Sequence, residues 1–387
     1  EGETGGIPFE IHHIPSETED QCAVWLPQEK VLLSADAVYE SFPNVYALRG
    51  TRFRNPMIWA QGVDRLREFN ADILITHHGH PVEGADQISD LLTDYRDAIQ
   101  FVHDQTLRYM NKGYTPDEIK EVVTMPTRLQ DHPWLGEFYG SYKHSIPAIC
   151  VGYLGWYQGD PITLEPTPWV ERAQRYLDMM GGRETVLARA RDALHGGDAQ
   201  WAAELATWVV RVNKSDAEAR AVKADALRVW AYNQKNATWR NWGLTSALEL
   251  DGELDQAGGG MVLGSPDQVK GFPLSAIMTV MTVRLKAEES WDTRIRVVFE
   301  TTDSNEGCAL EVRRGICQFF AMPTGDRDAT VKFNRPFVLQ WIFGKTTFED
   351  ALAAGDISVD GDASIVSTFL SKFEPFNEAT NISIAVR

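Results

Sequence analysis

The sequence predicts three successive parts of different fold class: α/β, then all-α, then α+β. Three observations carry that prediction. From Ile7 to Thr76, short apolar runs of strand length alternate with turn residues and one amphipathic stretch; from Ala85 to about Leu250, apolar residues recur with the helical period; beyond Gly258-Gly259-Gly260, β-rich runs resume. In the first part FEIHHI, CAVWLP and KVLLSAD read as strands, the stretch from Met57 to Phe69 as a helix, and ADILITHH as a further strand running into polar residues. Strands alternating with a helix define a layered α/β unit, and each strand run ends where polar residues begin, which is where site residues sit in such folds.

The helical part opens with the amphipathic run QISDLLTDYRDAIQFVHDQTLRYM. Thr115-Pro116-Asp117-Glu118 supplies an N-cap, a proline at the first helical position and acids in the first turn. The runs WVERAQRYLDMM, TVLARARDALH, AQWAAELATWVVRV, DAEARAVKADALRVWAYN and ATWRNWGLTSALEL follow, and Gly196-Gly197 puts a tight turn between two of them. This all-helical part is a candidate for dimerisation. The glycines at 258–260 mark a linker. After it, IMTVMTVRLK, TRIRVVFETT, CALEVRRGICQFFAM and ATVKFNRPFVLQWIFG read as β segments, followed by helices around Thr347 to Leu352 and Ile365 to Phe373, a compact α+β domain.

Composition narrows the function. With 37 basic and 55 acidic side chains the formal charge is −18, which argues against nucleic acid as the main partner, because a polyanion needs many cations to neutralise its phosphates. Any anionic ligand must be held by a local cluster of cations. The longest apolar runs, such as AVWLP and SAIMTVMTV, fall well short of the roughly 18 residues of a membrane span. Cys22, Cys150, Cys308 and Cys317 lack C-x-x-C spacing, so neither a zinc ribbon nor a disulfide framework is indicated. The opening Glu1-Gly2-Glu3-Thr4-Gly5-Gly6 shows no basic or apolar region of a signal peptide.

Three of nine histidines, His77, His78 and His80, follow the strand ADILI directly. Neutral imidazoles at a rigid strand end suit a metal; a surface loop with chance histidines suits the spacing equally. Asp36 follows VLLSA and Glu17 follows HHIPS in the same manner, and each alone reads as a helix cap or solvated turn residue. Together with His78 they make an O, O, N ligand set from three strand ends, incomplete for a two-metal site.

The stretch PSETEDQ…LLSADAVYESFPNVYALRGTRFRNPMIW…ADILITHHGHPVEG resembles the second half of the metallo-β-lactamase-fold domain of the alkylsulfatases. The resemblance continues through FYGSYKHSIPAICVGYLGWYQGDPITLEP and VKADALRVWAYNQKNATWRNWGLTSALEL into a C-terminal domain similar to sterol carrier protein 2. It implies the C-terminal half of a metallo-β-lactamase αββα domain at 1–100, a helical dimerisation domain at 101–257 and a sterol-carrier-protein-2-like domain at 258–387. It implies, too, an enzyme that hydrolyses alkyl sulfate esters to alcohol and sulfate with two zinc ions. Residue by residue, Glu17 matches a ligand carboxylate and His78 the last zinc histidine, with His77 one slip away in the repeated histidines. Asp36 matches the carboxylate that bridges the two zincs; alkylsulfatases resemble AENATHTLHN there, where this chain has ADAVYESFPN, so the bridge is one methylene shorter. His144, in YKHS, matches the acid for the leaving group, and Arg54, Arg49 and Asn44 match positions near the sulfate, where a guanidinium can hold two oxygens at once.

H-x-H-x-D-H, which supplies four zinc ligands in the family, occurs nowhere in the 387 residues. The expected partners are therefore an N-terminal half carrying that motif, an alkyl sulfate and a second copy in a homodimer, with no nucleic acid and no membrane span. In the last domain the apolar positions suggest a sheet with helices over a pocket, an ordinary core on the residues alone and a lipid-chain surface by the sterol carrier resemblance. Two other functions fit the sequence: another hydrolase of the metallo-β-lactamase fold, such as a phosphoesterase or lactonase, and a non-enzymatic helical scaffold with a lipid-binding domain.

Overall fold

The structure, a computed structural model, describes residues 1–48, 50–256, 266–375 and 385–386. They form two compact units, one of Glu1–Glu253 with Ala385 and Val386, the other within Leu254–Ile382. The glycine linker at 258–260 and Arg49 lie outside the described residues. The chain is mixed α/β with many helices, and no described helix is long and apolar enough to cross a membrane.

The first unit opens with β1 (Gly2–Thr4), β2 (Ile7–His13), β3 (Cys22–Leu26) and β4 (Val31–Ala35), then α1 (Pro56–Arg67), β5 (Ile73–Thr76) and β6 (Val82–Glu83). The six strands lie in sequence order and pair antiparallel except for β4 with β5, which are parallel across the α1 crossover. Parallel pairing matters here because it brings the C-terminal ends of β4 and β5 to the same end of the sheet. Helix α1 starts where Asn55 Oδ1 accepts the Met57 and Ile58 N–H groups ahead of Pro56 at the first position. It packs against α2 (Ala85–Met110) over a core that includes Leu32, Trp59, Val63, Leu74, Tyr95 and Ile99. Residue 100 falls inside α2, which runs unbroken from the sheet to the helices beyond.

Those helices are α3 (Pro116–Val122), α4 (Thr127–Gln130), α5 (Tyr142–Leu154), α6 (Trp169–Met179), α7 (Gly182–His195), α8 (Ala199–Val212), α9 (Ala217–Tyr232), α10 (Ala237–Asp251) and α11 (Glu253–Gln256). The capping box expected at Thr115 forms: its hydroxyl accepts the Glu118 N–H and Glu118 Oε2 accepts the Thr115 N–H. From α7 to α10 each helix packs on the next around Val186, Leu187, Leu205, Val209 and Leu250.

The second unit has α12 (Pro266–Lys270), α13 (Leu274–Val280), β7 (Arg294–Thr301), β8 (Gly307–Arg313), β9 (Ile316–Phe320), β10 (Ala329–Phe333), α14 (Arg335–Ile342), α15 (Phe348–Ala354), β11 (Ile357–Gly361) and α16 (Ala363–Ser371). Its sheet runs β11-β10-β7-β8-β9, parallel only between β10 and β7. Two expectations are corrected. IMTVMTVRLK is helical, α13 followed by a 3₁₀ turn at Met281–Arg284: its buried residues Leu274, Ile277, Met278 and Met281 follow the i, i+3, i+4, i+7 spacing, which overrides the β-branched residues among them. ATVKFNRPFVLQWIFG is a strand only to Phe333, because Asn334 accepts the Phe337 N–H and, with Pro336, starts α14. Strand β11 has no counterpart in the sequence reading. Between sheet and helices, around Met278, Phe299, Val331 and Phe337, only about 10 Å³ is left empty, so this space is a filled core.

Candidate active site

The ends of β4 and β5 build the site. Ala35 closes β4 with a left-handed backbone, φ 49°, after an irregularity in its register with β5. That turn sends Asp36 out of the sheet beside the residues leaving β5, and His78 Nδ1 stands 2.6 Å from Asp36 Oδ1. Glu17 comes from the loop after β2, a tight turn in which Ser16 N–H donates to Thr18 O and Ser16 Oγ donates to Ile14 O. The loop turns Glu17 inward to 8% exposure. All three expected ligands line one cleft of about 510 Å³, with Tyr39, Glu40, Arg54 and Tyr139. His77 instead donates its N–H to Ala35 O and is exposed.

Charge is unevenly compensated in this cleft. Arg54 donates to Glu17 Oε1 at 2.5 Å and to the Asn44 carbonyl at 2.6 Å, while Asn44 N–H donates to the Tyr39 hydroxyl at 2.7 Å. Asn44 thus fixes the arginine through its backbone. Burial pushes the Glu17 carboxyl above its ordinary pKa and the nearby charge of Asp36 adds to the rise, although Arg54 opposes both. Among the described residues, no three His, Cys, Asp or Glu side chains converge closely enough to hold a metal ion by themselves. The donor chemistry suits zinc all the same: two carboxylates and an imidazole share the cleft, and a cation there would relieve the repulsion between Glu17 and Asp36.

Two supports escaped the sequence reading. Glu40 N–H donates to His78 O at 2.9 Å, and its carboxylate accepts the His80 N–H and contacts His80 Nδ1 at 2.8 Å. Gly79, at φ +147°, lies so close that an added Cβ would stand 2.9 Å from Glu40 Cβ. The second is Tyr139, whose hydroxyl donates to Glu17 Oε1 at 3.4 Å. It arrives because the segment after α4 folds back over the strand ends: Phe42 N–H donates to Gly136 O, Gly140 N–H to Phe42 O, and Tyr139 N–H to Ser41 Oγ. A Cβ on Gly140 would meet Pro43 O at 2.1 Å, so the fold-back needs glycine there.

His144, in the first turn of α5, does not line this cleft. It is half-buried between Tyr46 and Trp239, with ring centroids 6.3 and 5.3 Å away, and lines an apolar pocket of about 530 Å³ with Phe53, Pro147 and Val151. Burial, and secondly Lys120, hold its pKa below the ordinary imidazole value. A third hollow of about 400 Å³, between residues 15–20 and 51–55, shares Glu17 and Arg54 with the cleft and Phe53 with the apolar pocket. The three are therefore contiguous along the 51–54 segment.

The chain belongs to the alkylsulfatase family: residues 115–253 match the model for alkyl sulfatase dimerisation and residues 262–383 that for the alkyl sulfatase C-terminal region. It is 39% identical over 394 residues to a linear primary-alkylsulfatase of a Pseudomonas species, covering 99% of this chain and 74% of the relative. Identity to the alkyl/aryl-sulfatase of Saccharomyces cerevisiae is 30%, over 97% of this chain and 58% of that one. The stereoselective inverting sec-alkylsulfatase Pisa1 from a Pseudomonas species superposes with a TM-score of 0.89 at 29% identity, covering 99% of this chain and 61% of Pisa1. The chain thus spans about three-fifths of the last two relatives.

Proposed function

We propose that this chain forms part of a zinc-dependent alkylsulfatase that cleaves alkyl sulfate esters to alcohol and inorganic sulfate. The observation that carries the proposal is the joining of an acidic, histidine-bearing cleft to an apolar pocket, which matches a substrate with a charged head and a hydrocarbon tail. Glu17, Asp36 and His78 would hold zinc, two ions per complete site, together with donors of an H-x-H-x-D-H motif from outside these residues. Bound zinc supplies a water activated near neutral pH and polarisation of the ester. The chain's own residues do the rest. Arg54, held by the Asn44 carbonyl, orients the sulfate with Arg49, and the two arginines offset its charge; Tyr139 and Arg54 hold Glu17 in place; Glu40 braces the His78 loop. His144 delivers a proton to the departing alkoxide oxygen, which is too basic to leave unprotonated.

By the same reading, residues 1–100 are the C-terminal half of a metallo-β-lactamase-fold domain, 101–257 a dimerisation domain through which two copies associate, and 258–387 a sterol-carrier-protein-2-like domain. For the last, a hollow of about 470 Å³ bordered by Met281, Trp341, Phe348, Leu370 and Phe373 supports a role in presenting alkyl chains. The decisive experiment is sulfate release from a linear alkyl sulfate by the enzyme with its full ligand set. Asp36→Ala should remove most activity and reduce bound zinc; full activity in that variant would overturn the assignment of the bridge.

A further inference from the structure

The helical part of the first unit carries a second built site that the cleft does not use. Lys223 on α9 is buried, 8% exposed, and its Nζ donates to the carbonyl of Ala385 at 2.6 Å. Glu249 on the neighbouring α10 accepts the N–H of the same residue through Oε2 at 3.0 Å. The two backbone polar groups of Ala385 are thus met by two side chains of opposite charge, 162 and 136 residues away in sequence. Ala385 and Val386 are themselves buried in the cluster of Leu205, Val209, Val222 and Leu250. Glu249 Oε1 is buried as well and has no partner among the described residues, an acceptor left over for one more donor.

Burying an ammonium and a carboxylate is costly unless their hydrogen bonds are made. Here main chain, not a counter-ion, makes them. A surface of α9 and α10 that offers one donor, one acceptor and an apolar floor is complementary to the backbone N–H and C=O of one residue in a turn and to small apolar side chains beside it. We propose that Lys223 and Glu249 form a docking slot for a short peptide turn, and that its occupant is this chain's own Ala385-Val386.

Amide hydrogen exchange on the intact chain, read by mass spectrometry, tests this. The peptide spanning Ala385 and Val386 should exchange at least tenfold more slowly than the same sequence as a free peptide. Lys223→Met, and separately Val386→Asp on the segment side, should each remove that protection while amides of β4 and β5 keep theirs. Val386→Asp leaves the helices untouched, so the test stands even if Lys223→Met perturbs folding. Absence of protection in the parent chain, or protection that survives both substitutions, would overturn the slot. Because the readout is exchange, neither result depends on whether the cleft hydrolyses a sulfate ester.

Discussion

His144 and Lys223 are both displaced from their ordinary pKa by burial, and each displacement has a measurable consequence. A leaving-group acid works only while it carries its proton. With its pKa held below the ordinary value of 6.5, His144 should give a rate that falls as pH rises through a point on the acid side of that value. His144→Ala should abolish that limb and lower kcat for alkyl sulfates by roughly 10²–10⁴-fold with zinc content unchanged, while a nitrophenyl sulfate, whose phenolate departs without help, loses little. Equal losses on both substrates would make His144 a positioning residue. Lys223 is lowered to about 8 by burial and then by Arg211, against the opposing charge of Glu249. An unfolded lysine titrates near 10.4, so between these values the unfolded chain binds more protons and stability rises with pH. The difference in unfolding free energy between the parent and Lys223→Met should therefore move in the parent's favour from pH 8 to 10 in urea titrations; a constant difference would contradict the lowered pKa. Glu17, Asp36 and His78 could be read as strand-end residues, and they do line one cleft. Tyr139 and Glu40 could not, since their places depend on a fold-back and a loop brace that no local spacing announces.

Asn236 shows how one element serves two purposes. Its Oδ1 accepts the Thr238 and Trp239 N–H groups and caps α10, while its Nδ2 donates to Tyr139 O at 2.7 Å. Asn236→Ala should cost about 2 kcal/mol, roughly half from the cap and half from the lost side-chain bond. Asn236→Asp keeps the acceptor but loses the donor, so it should recover the cap share only; a urea midpoint for Asn236→Asp equal to the parent's would show that the bond to Tyr139 contributes nothing. Elements with one dominant signal were legible in the sequence, among them the capped α3, the β-branched and aromatic β7 and the long α2. α13 was not, because Thr279, Val280, Thr282 and Val283 crowd a short apolar run in which helix and strand periods compete. β11 was hidden by Asp360 and Gly361 at its end, which suit an edge strand as well as a turn.

Across the whole molecule, the −18 charge and the donors of the cleft bear on what the chain can bind alone. Since no three donors converge among the described residues, the isolated chain should bind zinc weakly and the complete enzyme about two ions per protomer. Calorimetric titration showing two tight zincs on this chain alone would end that account. For the proposed homodimer, Leu154, Trp156 and Ile162 stand 66%, 65% and 74% exposed within the segment matched to dimerisation, the kind of apolar exposure that marks an interface. Trp156→Asp should halve the mass seen by light scattering, and an unchanged mass would move the interface elsewhere.

Ala385 and Val386 have a final consequence, for synthesis. They complete a core whose other members, from Leu177 to Leu250, leave the ribosome more than a hundred residues earlier. At about 5–20 residues per second, the bundle waits roughly 7–27 s with that part of its core open while the second unit is made. Nascent chains stalled before residue 385 should therefore carry an unfinished bundle that a chaperone can grip, and the chain released from the ribosome should not.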